Sequence, residues 1–486
     1  MFLFLGGIFV LITGYFTYGR FINHILSPDN RPTPATKDND GIDTLPLPLW
    51  KNLLIQLLNI AGVGPVIGVI IGIKFGIKCF WIIPIGCILG GAVHDYVSGF
   101  ISLRNGGINL PELTRQAFGN TYYRIYVLFV AILLLLVVAV FVNVPSQLIV
   151  GTLPSSPTGI PSFWLATGLI LSYYIVSTIF PIDCIIGKIY PLFGALLLIG
   201  SIAMFGALLW NGLGNPLLFT ETEAFRAGMF HDQPVIPCLF VTIACGIISG
   251  FHATQSPIVA RTIRHECEAR LTYYGMMIVE GIIAMIWAAA GMAIYNTFPE
   301  LMMQKPALAL QSATEHFLGN SIGALTILSV IILAITSGDT ALRSLRLTLA
   351  EYFHISQLQL RNRLAICLIP ILLIGLLLWW SNRDAASFES LWKYFAWGNQ
   401  ILAASTLMAC TVWLKRQQKP AWITLLPGIF MTFIVSSFIL WSDISHAGCP
   451  YGFNLPLPIA YLLAALFTLG CTGIVCRIAS KHKTTL

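Results

Sequence analysis

Two apolar runs, Leu53 to Ile60 and Val66 to Phe75, lie close together, and neither alone is long enough to cross a hydrocarbon core of about 30 Å. They meet at Ala61-Gly62-Val63-Gly64-Pro65. Glycine loosens a helix, while proline removes a backbone donor and clashes with the preceding turn. The sequence therefore predicts one membrane span over 50–77, broken near its centre. Irregular backbone at that depth survives only where protein or water covers its free polar groups. A broken span thus implies a cavity; the plainer alternative is a gently kinked span with no site.

The rest of the chain has the composition of a membrane protein. Of 486 residues, 57% are hydrophobic and only 10% charged, more apolar than a soluble fold accommodates. The expected fold is an all-α polytopic membrane protein. Candidate spans are 2–22, 50–77, 79–103, 121–143, 161–181, 185–211, 235–262, 272–296, 318–342, 363–380, 390–413, 421–441 and 454–477, thirteen in all. Only Pro181-Ile182-Asp183 separates the fifth from the sixth. The run Phe2 to Tyr18 lacks a basic leading region and a small-residue cleavage site, so it counts as a span. Eleven cysteines are scattered, mostly within spans, without metal-ligand spacing. Neither metal, disulfide nor cofactor is expected.

Lysine and arginine set the orientation. Of 27 such residues, 21 fall in connections after odd-numbered spans and six elsewhere. The N-terminus is expected outside and the C-terminus in the cytoplasm of a plasma (inner) membrane. The net charge of +7 is then topological, and nucleic-acid binding is not needed to explain it. Residues 23–48 read as a polar, proline-rich cytoplasmic linker with no core of its own. The segment 104–120 reads as a short amphipathic cytoplasmic helix begun by Pro111-Glu112, and 212–234 as the longest external loop. Lys74 and Lys78, near an outer helix end, are expected to snorkel. Asp183 and Lys188 flank a tight turn and read as structural.

A second break is expected downstream. Ile236 to Ile248 is an apolar helix that runs into Ser249-Gly250-Phe251-His252-Ala253-Thr254-Gln255-Ser256-Pro257. Breaks in spans two and seven lie five spans apart on oppositely directed helices, the signature of an inverted five-plus-five repeat around a central site. The expected organisation is an extra N-terminal span (1–22), the linker (23–48), the first repeat (49–211), the external loop (212–234), the second repeat (235–413), and two C-terminal spans with a cytoplasmic tail (414–486). Half-helix N-termini aim positive dipole ends at anions, and freed carbonyls suit cations. Substrate is therefore expected at Gly62, Gly64, Pro65, Ser249, Gly250, His252, Thr254 and Gln255.

Four stretches resemble the carbon starvation protein A family of transporters: Ala61-Gly62-Val63-Gly64-Pro65, Gly91-Ala92-Val93-His94-Asp95-Tyr96, Ile248-Ser249-Gly250-Phe251-His252 and Asp339-Thr340-Ala341-Leu342-Arg343-Ser344-Leu345-Arg346. The resemblance implies uptake of peptides or pyruvate, coupled to protons, on a leucine-transporter-like fold. The chain departs from the family pattern in being shorter than its better-known members and in carrying His94 where glutamine is expected. In leucine-transporter-like folds, hydroxyls at the matching place help bind sodium, so Ala61, Thr336 and Ser337 form a possible sodium site. The plain alternative for the hydroxyls is a bond back to their own helix.

Ionisable groups inside spans are costly and thus functional candidates. Asp95, with His94 beside it, Glu280 and Asp339 are the candidate ion-coupling acids; structural roles are the alternative for each. Glu280 could pair with Arg261 or Arg264. Asp339, Arg343 and Arg346 share one helix face, and the two arginines read as an ion-pair stripe anchored in the headgroups. The two rival classes are an intramembrane protease and a channel. Ser337-Gly338-Asp339 and Asp95-Tyr96 resemble the two-aspartate membrane proteases, but Thr336 stands where their first glycine belongs. A channel needs a continuous filter, which paired breaks do not suggest. No Gly-x-x-x-x-Gly-Lys occurs, so accumulation must draw on an ion gradient, protons favoured over sodium. The expected partners are a small-molecule substrate and the lipid bilayer.

Overall fold

Apolar segments in lipid must satisfy their backbone groups internally, and helices do so residue by residue. The computed structural model accordingly contains helices and no strand among the described residues, which are 1–37, 43–152, 162–179, 182–304, 306–383, 385–443 and 452–481. Pro181 and the side chains of Asp183 and Lys188 lie outside the described residues. Each expected span overlaps helical structure among the described residues, with 50–77 and 235–262 each divided into several pieces, and the count of thirteen is not reached. Among the described residues ten helices are long and apolar enough to cross a membrane, or up to eleven with the bent pair Leu49–Ile60 and Gly64–Phe75 counted as one span. The shorter apolar stretch Ser162–Ser177 stands beside these ten. Ala385–Arg416 carries Asn399, Gln400, Ser405, Thr406 and Thr411, which dilute its apolarity.

The first break lies where the glycines and proline predict it. Helix Leu49–Ile60 stops, Ala61 turns to φ −74°, ψ 66°, and a wide turn over Gly64–Gly68 restarts the span at a 55° bend. The second break differs from expectation. A tight turn over Ala244–Gly246 leads through Ile247 and an extended Ser249 (φ −129°, ψ 123°) into a regular helix, Gly250–Ala260, that contains Pro257. The polar run from His252 to Ser256 therefore sits on the second half-helix and not in the gap. The gap falls earlier because Asn399 supports it: its Oδ1 accepts from the Phe251 N–H at 2.7 Å and its Nδ2 donates to Ser249 Oγ at 2.8 Å. Gly250 packs against Leu402 and the Ala403 backbone, where no side chain fits.

The two breaks interlock. A Cβ on Gly64 would overlap Cys245, and one on Gly246 would lie 3.2 Å from Pro65 Cα. Gly64 is thus required for close approach of the two chains, and it opens onto protein rather than empty space.

At the basic end of the bundle the linker packs firmly, contrary to expectation. Its beginning is held by Glu266, which accepts from the Asp29 N–H at 2.6 Å and from Arg104 Nε at 2.7 Å. Its end lies alongside the residues after the second half-helix, with Leu45 N–H on Arg261 O at 3.1 Å and Leu47 N–H on Thr262 O at 3.0 Å. Ala35, Asp43 and Leu47 are buried. The segment 104–120 does form its amphipathic helix, Leu110–Phe118, with Leu110, Leu113 and Ala117 turned inward.

The opposite end is capped by the loop expected over 212–234. Glu221 accepts from the Ile77 N–H at 2.8 Å, and Phe230 N–H bonds to Lys74 O at 3.1 Å. Lys74 does not snorkel. It is 7% exposed, its ammonium donates to the Met302 carbonyl, and it stands 5.5 and 5.6 Å from the ring centres of Phe230 and Tyr295. The loop covers it with Phe230, while Met302, outside the loop, supplies the acceptor that water would otherwise give.

Candidate functional site

Helix Ala92–Arg104 begins immediately after a wide turn over Cys87–Gly91, and its first residues, His94 and Asp95, are fully buried. The first turn of Gly250–Ala260 brings His252 to them, and Met276–Thr297 brings Glu280. Asp95 Oδ1 lies 2.7 Å from His94 Nδ1, and Asp95 Oδ2 lies 2.9 Å from His252 Nδ1. The far ring nitrogen of His252, Nε2, is 3.7 Å from Glu280 Oε2. All four side chains are at most 1% exposed. The Ile60 backbone, at the end of the first half-helix, lies beside His252.

This chain of groups has the composition a proton path needs. An imidazole can accept a proton on one nitrogen and release it from the other, so His252 links two carboxylates that do not touch. Both Glu280 oxygens and His94 Nε2 lack a hydrogen-bond partner among the described residues. Buried polar atoms left open in this way are costly and mark places where another species fits. The expected pairing of Glu280 with Arg261 or Arg264 is not made. Arg261 donates to the Gly107 carbonyl at 3.0 Å and lies 3.4 Å from Glu351, and Arg264 turns to Pro46.

Asp339 belongs to a separate cluster. Its Oδ2 accepts from Ser177 Oγ at 2.5 Å and from the Tyr173 hydroxyl at 3.4 Å. One and two turns further on, Arg343 and Arg346 are fully buried and close on Asp43 of the linker, at 3.0 and 3.1 Å. They are not headgroup anchors, because the linker supplies an acid within reach. Burial raises the Asp43 carboxyl, but the charges of Arg346, Arg343 and Arg261 outweigh it and hold it below its ordinary value.

The two hydroxyls of the possible sodium site behave differently. Thr336 Oγ1 donates back to Leu333 O of its own helix at 3.0 Å. Ser337 Oγ reaches across to Leu58 O at 2.9 Å, in the last turn before Ala61. Thr254 and Gln255 face the same long helix: Ser344 Oγ donates to Thr254 O at 2.7 Å, and Gln255 Nε2 donates to Ser344 Oγ at 3.3 Å. Gly62 is packed against the Phe141 ring. The structure thus brings Asp95, His252 and Glu280 together, sets Ser337 against the first break, and leaves Asp339 apart.

Sequence reasoning passed over Gln56 and Asn59. Both are fully buried in the first half-helix, and none of their four amide atoms has a partner among the described residues. The available signal was three amides, Asn52, Gln56 and Asn59, at helical spacing inside an apolar run.

Comparison with known proteins agrees with this architecture. The chain matches the family described as carbon starvation protein CstA over residues 1–208, 167–320 and 307–437. It is 40% identical over 334 residues to an uncharacterized membrane protein of Haemophilus influenzae, covering 59% of this chain and 89% of that one. It is 24% identical over 555 aligned positions to the peptide transporter CstA of Escherichia coli, covering 87% and 78%. Against the pyruvate/proton symporter BtsT of Escherichia coli it is 25% identical over 376 residues, covering 64% and 51%. Among solved structures, a Na+-coupled sialic acid symporter superposes with a TM-score of 0.53 at 13% identity, over 98% of this chain and 96% of that one. A manganese transporter mutant of Eremococcus coleocola gives 0.52 at 14% identity, over 90% and 97%. Likenesses at such low identity concern the fold alone, an all-α leucine-transporter-like arrangement with two broken helices at its centre. The family and its named members are membrane transporters, not enzymes. This chain belongs to the carbon starvation protein CstA family.

Proposed function

We propose that the chain is a secondary active transporter importing a small carboxylate-bearing nutrient, a peptide or pyruvate, by ion-coupled symport, with protons favoured over sodium. The observation that carries the proposal is His252, whose ring spans from Asp95 at 2.9 Å to Glu280 at 3.7 Å in the half-helix of the second break. A protonated ring holds two carboxylates, and a neutral one can hold only one of them as a donor. Loading or releasing a proton therefore changes how the half-helix is tied to its neighbours, and movement of that half-helix is what alternating access requires. Substrate sits between the breaks, near Gly62, Gly64 and Pro65 and near Ser249, Gly250, His252, Thr254 and Gln255. The two repeats are 49–211 and 235–413, with the N-terminus outside and the C-terminus in the cytoplasm. The relatives that carry the names peptide transporter and pyruvate/proton symporter support the substrate class.

The test is uptake of dialanine and of pyruvate into proteoliposomes under an imposed pH gradient. Asp95→Asn carries the shape of the protonated acid permanently, so it abolishes pH-driven accumulation and retains exchange between equilibrated compartments. Uptake that ignores the pH gradient and follows sodium overturns the proton reading. A sodium reading would draw on Ser337, whose hydroxyl already lies 2.9 Å from Leu58 O beside the freed carbonyls of the first break. Ser337→Ala then removes the sodium dependence.

A further inference from the structure

The half-helices Leu49–Ile60 and Gly250–Ala260 lie antiparallel along one seam. At its basic end Asn52 and Thr262 exchange hydrogen bonds of 3.1 and 2.8 Å. At the other end the Ile60 backbone meets His252. Asn52, Gln56 and Asn59 stand at i, i+4 and i+7, so they share one helix face. Asn52 is satisfied by Thr262, whereas Gln56 and Asn59 are buried at 0% exposure with every amide atom unpartnered among the described residues. On the second half-helix Gln255 uses its Nε2 on Thr254 and Ser344, which leaves Oε1 open.

A buried amide without partners costs free energy that packing alone would remove by placing an apolar residue there. Three such side chains on facing half-helices form a set with a definite chemistry: two NH2 donors and three carbonyl acceptors. A keto acid offers acceptors only. It satisfies the donors of Gln56 and Asn59 and strands all three carbonyls. A peptide unit offers an N–H and a C=O together, so it answers the donors and also one of the three carbonyls.

Resting on the transport reading above, we propose that Gln56, Asn59 and Gln255 recognise the peptide bond of a short peptide substrate. The seam thereby selects peptides over pyruvate. The open amides are complementary to the peptide N–H and C=O, and they lie on the same two half-helices as the first break and His252.

The experiment is equilibrium binding to the purified full chain in lipid nanodiscs, by calorimetry, with dialanine, alanyl-sarcosine and pyruvate as ligands, alongside thermal unfolding. Alanyl-sarcosine lacks the peptide N–H. The wild type is expected to bind dialanine and to bind alanyl-sarcosine about tenfold more weakly, the scale of one hydrogen bond to a buried group. Gln56→Met and Asn59→Leu keep side-chain volume and remove the amides. Each is expected to weaken dialanine binding about tenfold while the unfolding temperature stays level or rises. A purely structural role for the amides predicts the reverse, a lower unfolding temperature with affinity intact, and that result overturns the inference. Equal binding of dialanine and alanyl-sarcosine by the wild type overturns it too, without any variant. A wild type that binds pyruvate and not dialanine also overturns it and leaves the transport reading standing. One that binds none of the three removes both.

Discussion

Asp43 lies 3.1 Å from Arg346 through both of its carboxylate oxygens, and the same carboxylate is 3.0 Å from Arg343. The contact joins residues 300 positions apart. It ties the linker to the long helix Pro306–Tyr352, just where the linker turns into the first half-helix. Because Leu45 and Leu47 also bond to Arg261 and Thr262, the linker fastens together the basic ends of both half-helices. Any motion that parts the half-helices must release these ties.

Removing the acid leaves two buried guanidinium groups facing each other. Breaking a buried ion pair from one side costs about 3–5 kcal/mol. Asp43→Asn is therefore expected to lower the unfolding temperature of the purified protein clearly at pH 7. Asp43 is held below its ordinary carboxyl value near 3.8 by the arginine charges, which outweigh its burial. A carboxyl depressed in this way contributes stability that is present above about pH 4 and lost as pH falls through the folded value. The gap between wild type and variant should accordingly narrow on strong acidification. A gap of the same size at pH 3 and pH 7 would mean that the ion pair is not its source.

Orientation rests on the charge asymmetry and has a direct check. A reporter active only in the cytoplasm and fused to the C-terminus is expected to work, and one inserted near residue 222 is expected to report the outside. Both signals on one side of the membrane would show that a span is missing or in excess, and Ser162–Ile179 and Ala385–Arg416 are the first to examine.

Much of the frame was legible because it is local. The helix break at Ala61 to Pro65 follows from glycine and proline chemistry, and the apolar spans follow from their own composition. Asp95, His252 and Glu280 each stood out as polar groups in apolar surroundings. Their mutual pairing was not legible, since Asp95 and His252 are 157 positions apart and nothing in either neighbourhood encodes the other. For the same reason Glu280 looked available to Arg261, and Arg343 and Arg346 looked available to lipid. The second break was misplaced because Asn399, far downstream, decides where the half-helix starts. Gln56 and Asn59 share their helix face with Asn52, and that spacing is visible in the sequence, whereas their lack of partners among the described residues is visible only in the fold.

Glu280 tests the buried chain of titratable groups from its other end. Glu280→Gln fixes that end neutral while keeping its size. If His252 passes a proton between Asp95 and Glu280, the variant is expected to lose pH-driven accumulation at least tenfold and to keep exchange of substrate between equilibrated compartments. The paired Asp95→Asn, Glu280→Gln protein should then be no worse than either single variant, since residues acting as one unit are strongly non-additive. Additive losses would separate the two acids into independent roles.

The interlocked breaks give the last prediction. A side chain at Gly64 must displace Cys245, whose Cβ occupies the space a Gly64 Cβ would fill, with its backbone only 3.2 Å away. Overpacking of this kind costs about 1–3 kcal/mol in a tight core. Gly64→Ala is thus expected to lower the unfolding temperature and to weaken substrate binding at once, because both broken spans shift together. Cys245→Gly removes the opposing Cβ and should cost little, since a small side chain leaves a small void. The double variant is the informative one: it should recover most of the stability lost by Gly64→Ala. Contacting residues couple by about 0.5–3 kcal/mol in such cycles, whereas independent sites simply add. Recovery of stability with binding still impaired would locate the functional demand at Gly64 itself. No recovery of either would mean that the two breaks do not meet at these residues.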